Sequence, residues 1–247
     1  MDNEKQMPEK RENALISIVF NIIIPVIILS KFTTENRLGP VYGLIIALAF
    51  PTVYFIYDYL KRKKTNFVSI IGFVSILLTG IIGVFKFPSE WIAFKEAAVP
   101  LIIGLAVFVS LFTPFPLVRK LLFNRDLLDV DHINKLLEEG QNQKKFEKTL
   151  VYSTYMVSAS FLLSSILNFV LAKILIHSPS GTEAFAHELG RMTALSYPVI
   201  ALPSSIVMMI ALWYLIHSLK KLTGIENMEK LFAPHLQEKM KEKEDEK

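Results

Sequence analysis

The chain has 247 residues, 52% hydrophobic and 20% charged, with 18 Phe, no Cys and a formal net charge of +4. A soluble domain carries about 25% charge and 45–50% apolar residues, so the balance tilts away from one. Lack of Cys excludes disulfides, thiolate metal sites and a cysteine nucleophile, and no aromatic-interleaved basic patch points to nucleic acid.

The charges are clustered. They fall in the first twelve residues, at Lys61 to Lys64, from Arg119 to Lys148 and after Lys220. Between the clusters lie apolar runs of about 20 residues, the length that crosses about 30 Å of hydrocarbon at 1.5 Å per residue. The fold class is therefore all-α, a polytopic membrane protein. A β-barrel would show alternating ten-residue strands, and these runs are continuous.

In chain order, residues 1–13 form a charged tail, and the run that follows is too long for a signal-peptide core and lacks a small-x-small cleavage site. It is expected to be an uncleaved first span, from Ala14 to Ser30. Within it, Pro25 removes a backbone donor and displaces the carbonyl four residues earlier. That residue is Asn21, so one position holds both a freed carbonyl and a side-chain amide, about 10 Å into the span. The second span, Val41 to Leu60, repeats the device: Pro51 frees the carbonyl of Ala47. Kinked helices of this kind line cavities in transporters, although neighbouring helices also re-satisfy such carbonyls without any ligand. Asp58, one turn before "KRKK", is expected to pair with Lys61 or Arg62.

The third span covers Phe67 to Phe85 and the fourth Ala97 to Val118, with Lys95 and Glu96 standing just before it beside an interfacial Trp91. The connection over residues 126–147 reads as a cytoplasmic amphipathic helix. Asp129 or Asp131 caps it, Ile133, Leu136 and Leu137 form its apolar face, and Gly140 ends it. The fifth span, Leu150 to Ile176, carries Ser153, Thr154, Ser158, Ser160, Ser164, Ser165 and Asn168 within an arc of roughly 160°. Such a face suits either close helix packing or a substrate path. His177 and His187 fall in the following loop without metal-ligand spacing. The sixth span, Ala194 to Leu219, holds His217 near its end, and residues 221–247 form a charged tail.

Residues 14–220 thus make one six-helix membrane domain. Spans two, four and six each carry proline near one end and basic residues at the other. Three hairpin repeats describe this pattern, as does the plain preference for proline in a first helical turn. Lys and Arg are concentrated on the side of both termini, which are expected to be cytoplasmic.

The segments "NIIIP" (21–25), "GPVYGLIIALAFP" (39–51) with "KRKK", "TNFVSIIGFVSILLTG" (65–80) and "SEWIAFKEAAVPLIIGLAVFVSLFTPFPLVRKLL" (89–122) carry a likeness. Over residues 20 to 122 the chain resembles bacterial inner-membrane proteins related to intracellular septation protein A. The resemblance implies a multi-span protein of the bacterial inner membrane, with a role in envelope maintenance and no catalytic residues to carry over. The second half of the chain departs from that pattern and points to a distinct branch.

For function, no phosphate loop, dinucleotide fingerprint, zinc-protease or serine-hydrolase motif is present, and no enzyme activity, metal or cofactor is expected. The leading expectation is a carrier of a small or lipid-like substrate, bound by Asn21, Pro25, Ala47, Pro51, Ser164 and Asn168. Asp58, Lys95 and Glu96 are the charged interface candidates. The alternative is a non-catalytic scaffold that binds lipids or other envelope membrane proteins through the 126–147 helix and the basic cytoplasmic face. No buried acid or base is expected near the middle of a span, which argues against a proton relay.

Overall fold

The computed structural model describes residues 18–62, 67–113, 116–123, 125–126, 128–225 and 227–238. Among them the secondary structure is helical, apart from one isolated bridge between Leu128 and Phe232. The helices are α1 (Val19–Lys31), α2 (Pro40–Arg62), α3 (Phe67–Val84), α4 (Glu90–Phe112), α5 (Leu117–Leu122), α6 (Val130–Glu139), α7 (Gln143–Leu175) and α8 (Glu183–Thr223). Four of these, α2, α4, α7 and α8, are long and apolar enough to cross a membrane. The apolar stretches of α1 and α3, Val19–Lys31 and Ile70–Val84, are shorter.

Residues 1–96 with 168–197 form one compact unit, and residues 97–167 with 198–247 a second. In the first, α1 packs on α2 and on the start of α8, while α2 packs on α3. Rings fix these seams: Phe20 stacks on Tyr54 at 5.9 Å and Phe55 on Phe73 at 4.6 Å. Glycines allow the backbones to close. A Cβ on Gly83 would overlap the side chain of Leu44, and one on Gly190 would meet Leu29 and Ser30 at 3.1 Å.

The second unit has one apolar core, built from Val107, Ile133, Leu137, Phe146, Leu150, Leu215, Leu219 and Leu231 among others. Asp129 caps α6 by accepting from the His132 backbone N–H, and Ile133 and Leu137 are buried as expected. Gly140 follows α6 in a right-handed conformation, and the left-handed residue is Gln141 at φ 53°.

Several boundaries differ from those read in the sequence. Helix α4 starts at Glu90 rather than Ala97, so Lys95 and Glu96 lie inside it. It ends at Phe112 rather than Val118 because Thr113, which precedes Pro114, is extended at ψ 160°. Helix α7 begins at Gln143, where its first two turns bury Phe146 and Leu150, so the last residues of the 126–147 segment belong to a long apolar helix. Helix α8 begins at Glu183, capped by Thr182, rather than at Ala194. His187 is therefore helical, on an element whose Phe185, Ala186, Leu189 and Met192 are buried.

The described part of the expected charged tail, up to residue 238, packs back on the second unit. After the left-handed Gly224 (φ 71°), the chain returns to pair with the start of α6. The Asp129 backbone N–H donates to the Leu231 carbonyl at 2.9 Å, and Leu231 is fully buried. Residues 239–247 lie outside the described residues, as do residues 1–17, which hold the expected N-terminal tail and the start of the first span.

Two consequences are measurable as shifts in thermal unfolding in detergent. Gly83→Val overpacks the Leu44 contact and destabilises by about 1–3 kcal/mol, whereas Gly72→Ala, where a Cβ meets nothing within 4 Å, leaves the melting temperature in place. Leu231→Ala removes a core side chain at roughly 2–5 kcal/mol and makes the chain after Gly224 a faster site of limited proteolysis.

Candidate functional site

The two proline-bearing helices at the start of the chain are neighbours, as the Phe20–Phe50 and Phe20–Tyr54 ring pairs show. Upstream of Pro25 the helix widens into a π turn over Val19–Ile23, where the Ile24 N–H reaches the Val19 carbonyl five residues back. Widening moves the Asn21 carbonyl away from the proline ring, relieving the clash an α turn would impose. Asn21 is half-buried and already engaged by a partner, and Pro25 is buried. Pro51 sits inside α2 without a π turn, and Ala47 is fully buried. Thr52 donates back to the Leu48 carbonyl at 2.8 Å, one residue past the Ala47 carbonyl that Pro51 frees.

The hydroxyl face of α7 is used unevenly: Thr154 bonds back to the Leu150 carbonyl, the buried Ser153 and Ser158 hydroxyls have no hydrogen-bond partner among the described residues, and two serines reach neighbouring helices. In the second unit, Ser160 donates to the Ser204 carbonyl at 2.6 Å and Ser165 to the Ala97 carbonyl at 2.8 Å. Gly104 of α4 sits so close to α7 that a Cβ there would lie 2.9 Å from Phe161. This is small-residue helix packing. Ser164 and Asn168 are half-buried and both have partners; Ser164 belongs to the second unit and Asn168 to the first. Of the six expected substrate residues, Asn21, Pro25, Ala47 and Pro51 share the α1–α2 pair.

Asp58 is half-buried and engaged, and the side chains of Lys61 and Arg62 lie outside the described part. His217 is exposed and stacks on Trp213 at 5.2 Å, as an interfacial residue does. Among the described residues no cluster of His, Asp or Glu could hold a metal. A cleft of ≈ 500 Å³ lies between the α3–α4 and α7–α8 turns, lined by Lys86, Glu90, His177 and Ser180 among others. Its α7–α8 wall is held by Glu188, which accepts from the His177 and Ser178 N–H groups and from the Ser178 hydroxyl.

The densest polar chemistry inside apolar helices is at Lys95. Its side chain is only 7% exposed, and its ammonium donates to the Glu96 carboxylate at 2.6 Å and to the Ser75 hydroxyl at 3.1 Å. Ser75 lies halfway along α3 and its carbonyl already accepts from Thr79. Phe94, in edge contact with Phe169 at 5.5 Å, and the exposed Trp91 flank the pair on α4. Pro100 lies inside α4, so the Glu96 carbonyl has no i+4 donor. Glu96 thus combines a carboxylate with a freed carbonyl, as Asn21 combines an amide with one.

Sequence reading placed Lys95 and Glu96 outside the span and missed this. The available signal was the spacing of Pro100 to Glu96, the same four residues that mark Pro25 and Asn21. Comparison of the chain with protein-family models, curated proteins and solved structures finds no match.

The pair has a testable asymmetry. Removing one member of a buried ion pair costs about 3–5 kcal/mol, while replacing both with apolar residues is often neutral. Glu96→Leu strands the buried ammonium and lowers thermal stability. The double variant Lys95→Met/Glu96→Leu recovers most of the loss, and a double-mutant cycle of unfolding midpoints reads the coupling.

Proposed function

We propose that the chain is a non-enzymatic carrier of an amphiphilic, lipid-like substrate. In this reading all six apolar helices cross the bacterial inner membrane, with both termini cytoplasmic, in a branch akin to septation protein A. The observation that carries the proposal is the buried Lys95–Glu96–Ser75 constellation in an otherwise apolar helix pair. An ionisable group in a membrane-spanning helix is expensive and marks a functional site by default. The pair is neutral overall, which suits a substrate with a polar head and an apolar body better than a proton relay. Exposed Trp91 and Phe94 on the preceding turn of α4 offer apolar surface to that body.

One of the two surfaces of the scaffold alternative is the 126–147 helix. Ile133 and Leu137 of that helix are buried in the core that also takes in Leu231 of the same chain. Its remaining face presents Asp131, Lys135, Glu138 and Glu139, so the apolar stripe a partner would dock against is occupied.

The carrier reading is tested in proteoliposomes holding a headgroup-labelled phosphatidylethanolamine, with external quencher reporting transbilayer movement. The wild-type chain accelerates movement over protein-free vesicles. The double variant Lys95→Met/Glu96→Leu, folded by its melting curve, slows it by about tenfold or more, the effect of losing about 1.4 kcal/mol of barrier lowering. Equal rates in the two proteins make the pair structural and remove the proposal.

A further inference from the structure

A second charged surface is independent of the Lys95 site. In the second unit, Lys144, Lys145 and Lys148 project exposed from the first turns of α7, and Lys220 and Lys221 occupy the last turn of α8. The two groups are about 75 residues apart in sequence and are joined by one side chain. Asn142 donates from Nδ2 to the Leu222 carbonyl at 2.8 Å and accepts at Oδ1 from the Lys145 ammonium at 3.1 Å. Among the described residues, Lys144, Lys148, Lys220 and Lys221 form no ion pair. The nearby acids are used elsewhere: Glu147 meets Arg119 at 3.4 Å, Glu139 meets Lys135 at 4.0 Å, and Glu138 accepts from Gln143 at 3.4 Å.

Helix stability does not account for the α7 lysines. Cations are unfavourable at the N-terminal end of a helix dipole, and the first turn of α7 contains no acid. Their depth does account for them. Helix α7 has 33 residues, about 50 Å at 1.5 Å per residue, against about 30 Å of hydrocarbon. With its apolar run starting at Leu150, the lysines fall at the level of lipid headgroups. Four unpaired ammonium groups beside the ends of two membrane-length helices are complementary to a phosphate anchored in the same layer.

We propose that the start of α7 and the end of α8, joined by Asn142, form a binding surface for the phosphate of an acidic phospholipid. Each lysine supplies up to three donors, and two separate helix ends present them from two sides, so one headgroup phosphate is held by both. Asn142 is a positioning residue, since its amide fixes Lys145 relative to the end of α8.

The test uses the full chain, delipidated in detergent and offered equal phosphatidylglycerol and phosphatidylcholine, with retained lipids counted by native mass spectrometry. The wild-type chain retains phosphatidylglycerol over phosphatidylcholine by about tenfold or more, consistent with several lysines each adding to the attraction. The Lys144→Gln/Lys148→Gln/Lys220→Gln/Lys221→Gln variant loses the preference, while the corresponding Arg variant keeps it and reports that the fold tolerates the positions. Lys173→Gln, at the other end of α7, leaves it unchanged. Equal retention of the two lipids by the wild-type chain, or a preference surviving the Gln variant, overturns the proposal. Displacement of the lipid by an equal concentration of inorganic phosphate overturns it in favour of a free-phosphate site.

Discussion

A polar group inside an apolar helix has to find its partner in protein, because hydrocarbon offers none. Much of the detailed geometry of this chain follows from that requirement. Hydroxyls take the cheapest route and bond back within their own helix, as Thr33 does to Leu29, Thr79 to Ser75 and Thr154 to Leu150. Others reach across, and in doing so bind one helix to the next: Ser160 to Ser204 and Ser165 to Ala97. Small residues such as Gly104 permit the approach that makes those crossings short. The Ser160 and Ser165 hydroxyls are therefore structural adhesive, with each bond adding about 0.6 kcal/mol by analogy with measured membrane cases.

Proline poses the same problem in the backbone, and the chain solves it in two ways. At Pro25 and Pro203 a π turn, Val19–Ile23 or Tyr197–Ala201, ends two residues before the ring and opens the spiral. At Pro51 and Pro100 the helix stays α, so a carbonyl loses its donor without that relief. Beside Pro51 the neighbouring Thr52 supplies a local hydroxyl bond. Upstream of Pro100, the freed carbonyl belongs to Glu96, next to the buried ammonium of Lys95. Backbone and side-chain polarity converge there, on one turn of α4.

Features set by local chemistry were legible in the sequence. Spans two and three match α2 and α3 within two residues, because apolar run length and the flanking charges define them. The buried Ile133–Leu137 stripe follows from spacing, which also narrows the cap to Asp129 or Asp131, and the structure selects Asp129. The misses share one cause, contacts between residues far apart in the chain. Lys95 and Glu96 read as standing just before the fourth span, since a hydropathy reading cannot see that Ser75, 20 residues earlier, would meet the ammonium. The start of α8 looked like a loop because it is amphipathic, and its support is Gly190 against Leu29 and Ser30 of α1. Leu231 looked like part of a charged tail because its partner strand is a single bridge to the segment before α6. Asn21 was legible as an amide on a proline-bearing helix, but the π turn that resolves its carbonyl was not, since an extra residue per turn leaves no mark in composition.

The register of the Lys95–Glu96 pair constrains what it can do. Adjacent residues on a helix point about 100° apart, so this is not the i, i+4 arrangement that stabilises helices. Both charges ride on α4, and sliding α3 against α4 breaks only the Ser75 bond. The two ends are unequal: Lys95 is 7% exposed and Glu96 27%. The carboxylate is thus the more accessible member of the pair, and it serves as the internal counter-ion of a buried ammonium.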